Sequence, residues 1–180
     1  MGQQFDDPFD VPEWVRIETA FRLGVMKQNG KGHKPKRSPG KKAEDKLDAL
    51  FSEAVRRRAI ERVGGCEKCH RPKFDYQKED GSVHPAWKQL DCMHCFSRRD
   101  KATRWDLDNA AGGCGGCHMW LDAHSMQKEG WFARLLGPSA FDNLRIRNQW
   151  SGKKVDVQQL LLDVQQLLLD LGVDVQASLL

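Results

Sequence analysis

Apolar positions along this chain change period several times, and each change predicts an element. Over residues 43–63, Leu47, Leu50, Phe51 and Ala54 recur at helical spacing with Val55 beside them, which predicts an amphipathic helix. Arg56, Arg57, Arg58 and Arg62 crowd its later turns, where cations suit the negative end of the helix dipole. Gly64-Gly65 stop it. Residues 74–84 are polar, with Asp80-Gly81 as a turn. Residues 86–96 read as a strand, Thr103-Arg104-Trp105 as the opening of a second strand, and residues 106–113 as a turn-rich return. A helix is expected from Cys117 to about Lys128. Gly130 interrupts it, residues 131–136 resume it, and 139–150 form another short helix. At the front of the chain, Trp14, Ile17, Phe21 and Met26 give residues 13–26 a short helical pattern that Gly24 breaks.

The tail carries an internal repeat. Asp-Val-Gln-Gln-Leu-Leu-Leu at 156–162 recurs unchanged at 163–169. Seven residues is the coiled-coil period. Val157, Leu160, Val164, Leu167 and Leu171 form the seam, widened by Leu161 and Leu168. About two heptads are too few for a stable isolated coiled coil. The seam is expected to pair two copies of the chain, ahead of packing on its own domain or on another protein.

Composition narrows the class. At 180 residues, 39% hydrophobic and 30% charged, the chain suits one modest domain with appendages. Nothing resembles a signal peptide and no apolar run is long enough to span a bilayer, so a cytoplasmic protein is expected. The net charge of +4 hides an asymmetry. Residues 1–13 hold four acids and residues 155–180 hold four more, neither stretch with a base, so 14–154 carries +12. Within it, residues 27–42 hold seven Lys/Arg, three Gly, two Pro and no acid, a basic linker able to lie along phosphates. A basic middle suits a polyanion such as nucleic acid.

All six cysteines fall in three Cys-x2-Cys pairs, at 66/69, 92/95 and 114/117. Without an export signal, metal binding is a better reading than disulfides. Cys66, Cys69, Cys114 and Cys117 are the preferred structural zinc set, because two such pairs close a tetrahedral site. A mixed set with Cys92 or Cys95 stays open, although a strand would point those two to opposite faces. His70 is an outlying candidate ligand. The second knuckle runs directly into His118, and His94 and Asn109 lie between the knuckles. A His, Asn, His series inside a zinc clamp suits a second, catalytic metal beside a general base.

Over residues 43–137 this sequence resembles the HNH, or ββα-metal, endonucleases, and within them most closely the phage NinG (Rap) recombination nucleases. The residues that carry the resemblance are Cys66-Glu-Lys-Cys69, Met93-His94-Cys95-Phe96-Ser97-Arg98-Arg99, Arg104-Trp105-Asp106-Leu107-Asp108-Asn109 and Cys114-Gly-Gly-Cys117-His118. The resemblance implies an α+β fold: a small zinc-stapled ββα-metal domain with flanking helices. Residues 1–42 would be an N-terminal segment and basic linker, and 138–180 a helical extension. It implies that His94 is the general base, that Asn109 orients His94 or its loop, and that His118 binds the catalytic Mg2+ or Mn2+. Arg98, Arg99 and Arg104 would grip the DNA backbone. The implied activity is hydrolysis of DNA phosphodiesters, on branched recombination intermediates, in a bacterial host's cytoplasm for a phage protein.

One position departs from the family pattern. Where many HNH enzymes carry Asp or His as a metal ligand just before the base, this chain has Met93, a poor ligand for a hard cation. Asp122, four residues after His118 on a helix, is the preferred replacement. Asp91 is set aside, because alternation places it on the opposite strand face from His94. The alternatives are a non-catalytic zinc-finger module for DNA binding or assembly, and a nuclease subunit of a larger phage machine joined through the C-terminal heptads.

Overall fold

The computed structural model describes residues 38–149 and 155–175. The helix expected at 13–26 and most of the basic linker lie outside these residues. Helix α1 spans Pro39–Val63. It takes in the last four residues of the expected linker, because Ser38 caps it through Lys41 N–H and proline occupies its first turn. Gly64, in the left-handed region at φ 66°, ends it. The polar stretch 74–84 holds a hairpin of two short antiparallel strands, β1 (Tyr76–Gln77) and β2 (Val83–His84), turned at Gly81. The expected strand 86–96 divides into a 3-10 turn, Ala86–Gln89, and strand β3, Asp91–His94.

The second strand is not at Thr103-Arg104-Trp105, which form turns. It is β4, Ala110–Gly113, antiparallel to β3 with Cys92 opposite Gly112 and His94 opposite Ala110. This stretch reads as a turn in sequence because it lacks bulk. The structure gives a different reason for its small residues. A Cβ on Gly112 would sit 2.4 Å from the Cβ of Ala59 on α1, and one on Gly113 would sit 2.3 Å from Met93 Cε. Both glycines serve close approach within a buried strand.

After β4 come α2 (Gly115–Ala123), α3 (Ser125–Leu136), α4 (Pro138–Gln149) and α5 (Val157–Asp170). The break between α2 and α3 falls at His124, whose N–H bonds Leu121 C=O, and Gly130 is accommodated inside α3. The described residues thus form an α+β unit of five α-helices and two small antiparallel sheets.

Strand alternation splits the core. Ala110 and Cys92 face the cluster built by Leu47, Leu50, Phe51 and Trp105, whereas Ala111 and Met93 face Leu121, Phe132, Phe141 and Leu144. The β3–β4 pair is therefore a thin layer between α1 on one side and α2, α3 and α4 on the other. Trp105 is buried, whereas Trp120 is on the surface with Lys68 over its ring.

Helix α5 lays its repeated seam on α1. Val164 and Leu168 are buried in the α1 cluster, and Val157, Leu160, Leu161, Leu167 and Leu171 pack against it. Asp156 caps its start by accepting from Gln158 and Gln159 N–H. Gly172 turns the chain at φ 72°, and Val173 and Val175 beyond it are buried in the same cluster. The seam expected to join two copies is thus covered within one chain, leaving Leu162 and Leu169 exposed. Among the described residues, no helix is long and apolar enough to cross a membrane.

Leu168→Ala removes a fully buried side chain from this seam and should cost about 2–5 kcal/mol. Urea unfolding of the full chain measures it; a loss below about 1 kcal/mol would mean that α5 is not integral to the domain.

Candidate metal centre and catalytic pocket

Cys66, Cys69, Cys114 and Cys117 form a group whose sulfurs all lie within 4.8 Å of one another. Cys69 and Cys114 sulfurs are 3.9 Å apart. A tetrahedron of Zn–S bonds of about 2.3 Å sets sulfurs about 3.8 Å apart, so the donor set fits zinc without rearrangement. Two local structures deliver it. After α1, Gly65 and Cys66 turn the chain back, with His70 N–H bonding Cys66 C=O at 2.8 Å. From β4, Cys114 becomes the N-cap of α2, and Cys117 sits in its first turn. Burial would raise the Cys66 thiol, but N–H groups of Cys69, Cys114 and Lys68 aimed at its sulfur bring it down to about 7. Burial and the neighbouring cysteines push the Cys117 thiol up. Four thiolates in one place need a cation, and a bound zinc would supply it.

Glu67, between the first two ligands, was not singled out by sequence. It is buried, and it pairs with β4 twice: its N–H donates to Gly112 C=O at 2.9 Å, and its carboxylate accepts from Gly112 N–H at 2.6 Å. The knuckle is thereby fixed to the strand. Cys92 and Cys95 stand apart from the cluster. Burial pushes both thiols up to about 12. His70 is exposed and also lies outside the cluster.

His94 and His118 share a pocket of about 200 Å³, together with Asp48, Asp91, Cys92 and Arg98. His94 Nε2 lies 3.2 Å from the carbonyl oxygen of Arg104. A carbonyl only accepts, so this nitrogen carries the proton and Nδ1 keeps the lone pair. Burial, aided by the charge of Arg98, lowers the His94 pKa to about 4, so the imidazole is neutral at pH 7.

Asn109 is not in the pocket. It is fully buried and holds the loop that turns between β3 and β4. Its Oδ1 accepts from Phe96 N–H at 2.8 Å, and its Nδ2 donates to Thr103 C=O at 2.8 Å and more weakly to Phe96 C=O at 3.4 Å. The next carbonyl after Thr103 is the one that receives His94, so Asn109 acts on His94 through the loop.

His118, in the first turns of α2, lies between two carboxylates. Its Nδ1 is 3.3 Å from Asp91 Oδ2 and its Nε2 is 3.3 Å from Asp122 Oδ2. Asp91 lines the pocket; Asp122 does not, and it also meets Lys128 at 3.2 Å. Both carboxylates weighed in the sequence thus lie beside His118, and of the two only Asp91 lines the pocket with His94. Alternation does put Asp91 on the Met93 face, but as the first residue of β3 it is exposed at the strand end and reaches around to α2. Met93 is fully buried and offers nothing to the pocket.

Arg98 and Arg99 are exposed. Arg104 is engaged instead: its guanidinium pairs with Asp48 on α1, which also accepts from Trp105 Nε1 at 2.8 Å. A scan against family models, a search of curated proteins and a search of solved structures each found no match to this chain.

Cys66→Ser should release the bound metal and unfold the domain, because ligation and folding are coupled. Metal analysis with circular dichroism reads both, and a folded metal-free variant would contradict it. His94 gives a pH signature. Its folded pKa lies below the unfolded value, so the unfolded chain takes up this proton first. Stability therefore falls as pH drops from 6.5 towards about 4. His94→Gln should flatten that slope relative to the parent chain in urea midpoints at pH 7 and pH 5. Parallel slopes would mean that His94 ionises equally in both states.

Proposed function

We propose that this chain is a metal-dependent endonuclease that hydrolyses DNA phosphodiester bonds, with the β3–β4–α2 segment as an HNH-type catalytic unit on a structural zinc site. The observation that carries the reading is the His94 imidazole, neutral, fixed in one tautomer, and facing a pocket that also holds the His118–Asp91 pair. His94 Nδ1 takes a proton from water as the oxygen attacks phosphorus, the work of a positioned general base. Asn109 and the Arg104 carbonyl keep that ring in place. Arg98, on the pocket lining, and the exposed Arg99 next to it in the chain meet the negative phosphate.

His118 Nδ1 and Asp91 would hold the divalent ion, and Asp122 orients His118 by accepting its Nε2–H, a usual arrangement for a metal-bound histidine. A Mg2+ or Mn2+ bound there would stabilise charge on the phosphate and on the leaving oxygen. A buried Met93 is what favours the alternative, a non-catalytic zinc module; Asp91 supplies the carboxylate that Met93 cannot. Branched recombination DNA is the substrate class that we carry over from the sequence resemblance. Service within a larger phage machine, or in a pair of copies, would have to use surface other than the covered α5 seam.

His94→Ala should keep zinc, fold and DNA binding but lose cleavage of supercoiled plasmid by about 100-fold or more. Asp91→Asn should raise the Mn2+ needed for cutting far more than Asp122→Asn, which should cost about tenfold. Wild-type cutting by His94→Ala would reduce the protein to a binding module. Equal effects at the two aspartates would undo the assignment of ligand and supporting carboxylate.

A further inference from the structure

The catalytic pocket contains one group for which phosphodiester hydrolysis has no use: the Cys92 thiol. Cys92 and His94 are two apart on β3 and so share a face. Cys92 Sγ lies 4.0 Å from His94 Nδ1. That nitrogen holds the lone pair, because Nε2 is committed to the Arg104 carbonyl. The pocket thus offers a sulfur and an imidazole nitrogen side by side, with the Asp91 carboxylate and His118 on the same lining.

We propose that Cys92 and His94 form a second metal site, selective for Zn2+ over Mg2+, whose occupancy blocks the general base. Hard Mg2+ prefers oxygen donors and dehydrates reluctantly, whereas thiolate and imidazole suit zinc. Tetrahedral zinc with Zn–S of about 2.3 Å and Zn–N of about 2.0 Å spaces the two donors about 3.5 Å apart. The observed separation of 4.0 Å is about half an ångström wider, within reach of a small side-chain rotation. Binding breaks the Cys92 S–H bond, forms a Zn–S bond and releases the proton to buffer, while Nδ1 donates its lone pair. Water completes the shell.

Burial pushes the Cys92 thiol up, while the charges of Arg56, Arg58 and Arg98 act the other way and favour its thiolate. Arg104 is paired with Asp48, Arg56 donates to Ser52 C=O and Arg58 to Leu107 and Ala110 C=O. Arg98 is the remaining cation on the lining, and it is exposed. With its lone pair bound to zinc, His94 has nothing left to accept a proton. The consequence for cleavage rests on the proposed function; the site itself does not.

The test is a calorimetric titration of the full chain with Zn2+, starting from protein whose four-cysteine site is already filled. The parent chain should take up a second zinc and release one proton with it. Cys92→Ser, nearly the same size, should weaken that event by at least about 10–100-fold, since losing a ligand costs no less than losing a supporting contact. His94→Ala should weaken it likewise. In parallel, added zinc should inhibit Mg2+-supported cleavage by the parent chain and spare Cys92→Ser. No second zinc in the parent chain, or equal affinity in Cys92→Ser, overturns the proposal. If the parent chain binds the second zinc but never cuts DNA, the nuclease reading fails and the site stands.

Discussion

Everything in this domain hangs on how closely α1 can approach β4. The strand is Ala-Ala-Gly-Gly, and the missing side chain at Gly112 lets Ala59 of the helix pack directly on its backbone. That approach brings the end of α1, and the knuckle that follows it, level with the start of α2. Only then can two cysteines from each side meet in one tetrahedron. The four-cysteine cluster therefore closes a gap that the slim strand has already narrowed. Glu67 secures the junction by bonding both the N–H and the C=O of Gly112.

The same layer organises the pocket. One face of β3 turns Cys92 and His94 toward α1, the other sinks Met93 among α2, α3 and α4. Placing His94 at the last position of β3 leaves its ring at the edge of the layer, where Phe51 packs beside it at 6.1 Å between centroids. The loop that follows is not free to wander. Asn109 pins it from within, and the Asp48 pair with Arg104 and Trp105 pins it to α1 from outside. Low mobility of that loop is a condition for a fixed tautomer, since the acceptor is one of its own carbonyls.

Much of this was legible in the chain itself. Helix α1 followed from Leu47, Leu50, Phe51 and Ala54, and the four-cysteine group followed from paired Cys-x2-Cys spacing. The pocket partnership of His94 and His118 was expected from the resemblance, and the structure brings both rings to one lining. What could not be read was tertiary in origin. The Ala110–Gly113 strand has a turn's composition, and only the nearness of Ala59 and Met93 explains its glycines. Asp91 fails an alternation argument that holds in a strand's interior but relaxes at its first residue. Glu67 and Asp48 look like surface acids until their hydrogen-bond partners are in view. The α5 seam announced a packing surface without saying which surface it would meet.

The exact duplication in α5 has a mechanical side. Sliding this helix along α1 by seven residues moves it about 10 Å, yet presents the same Val/Leu seam to the same neighbours. The seam supplies grip but no address. Register must be set by the parts that are not repeated. These are the Gly172 turn and the Val173 and Val175 anchors beyond it, which can enter the core in only one alignment. The short, unremarkable residues after the repeat thus act as the index mark of the helix, telling two otherwise equivalent positions apart.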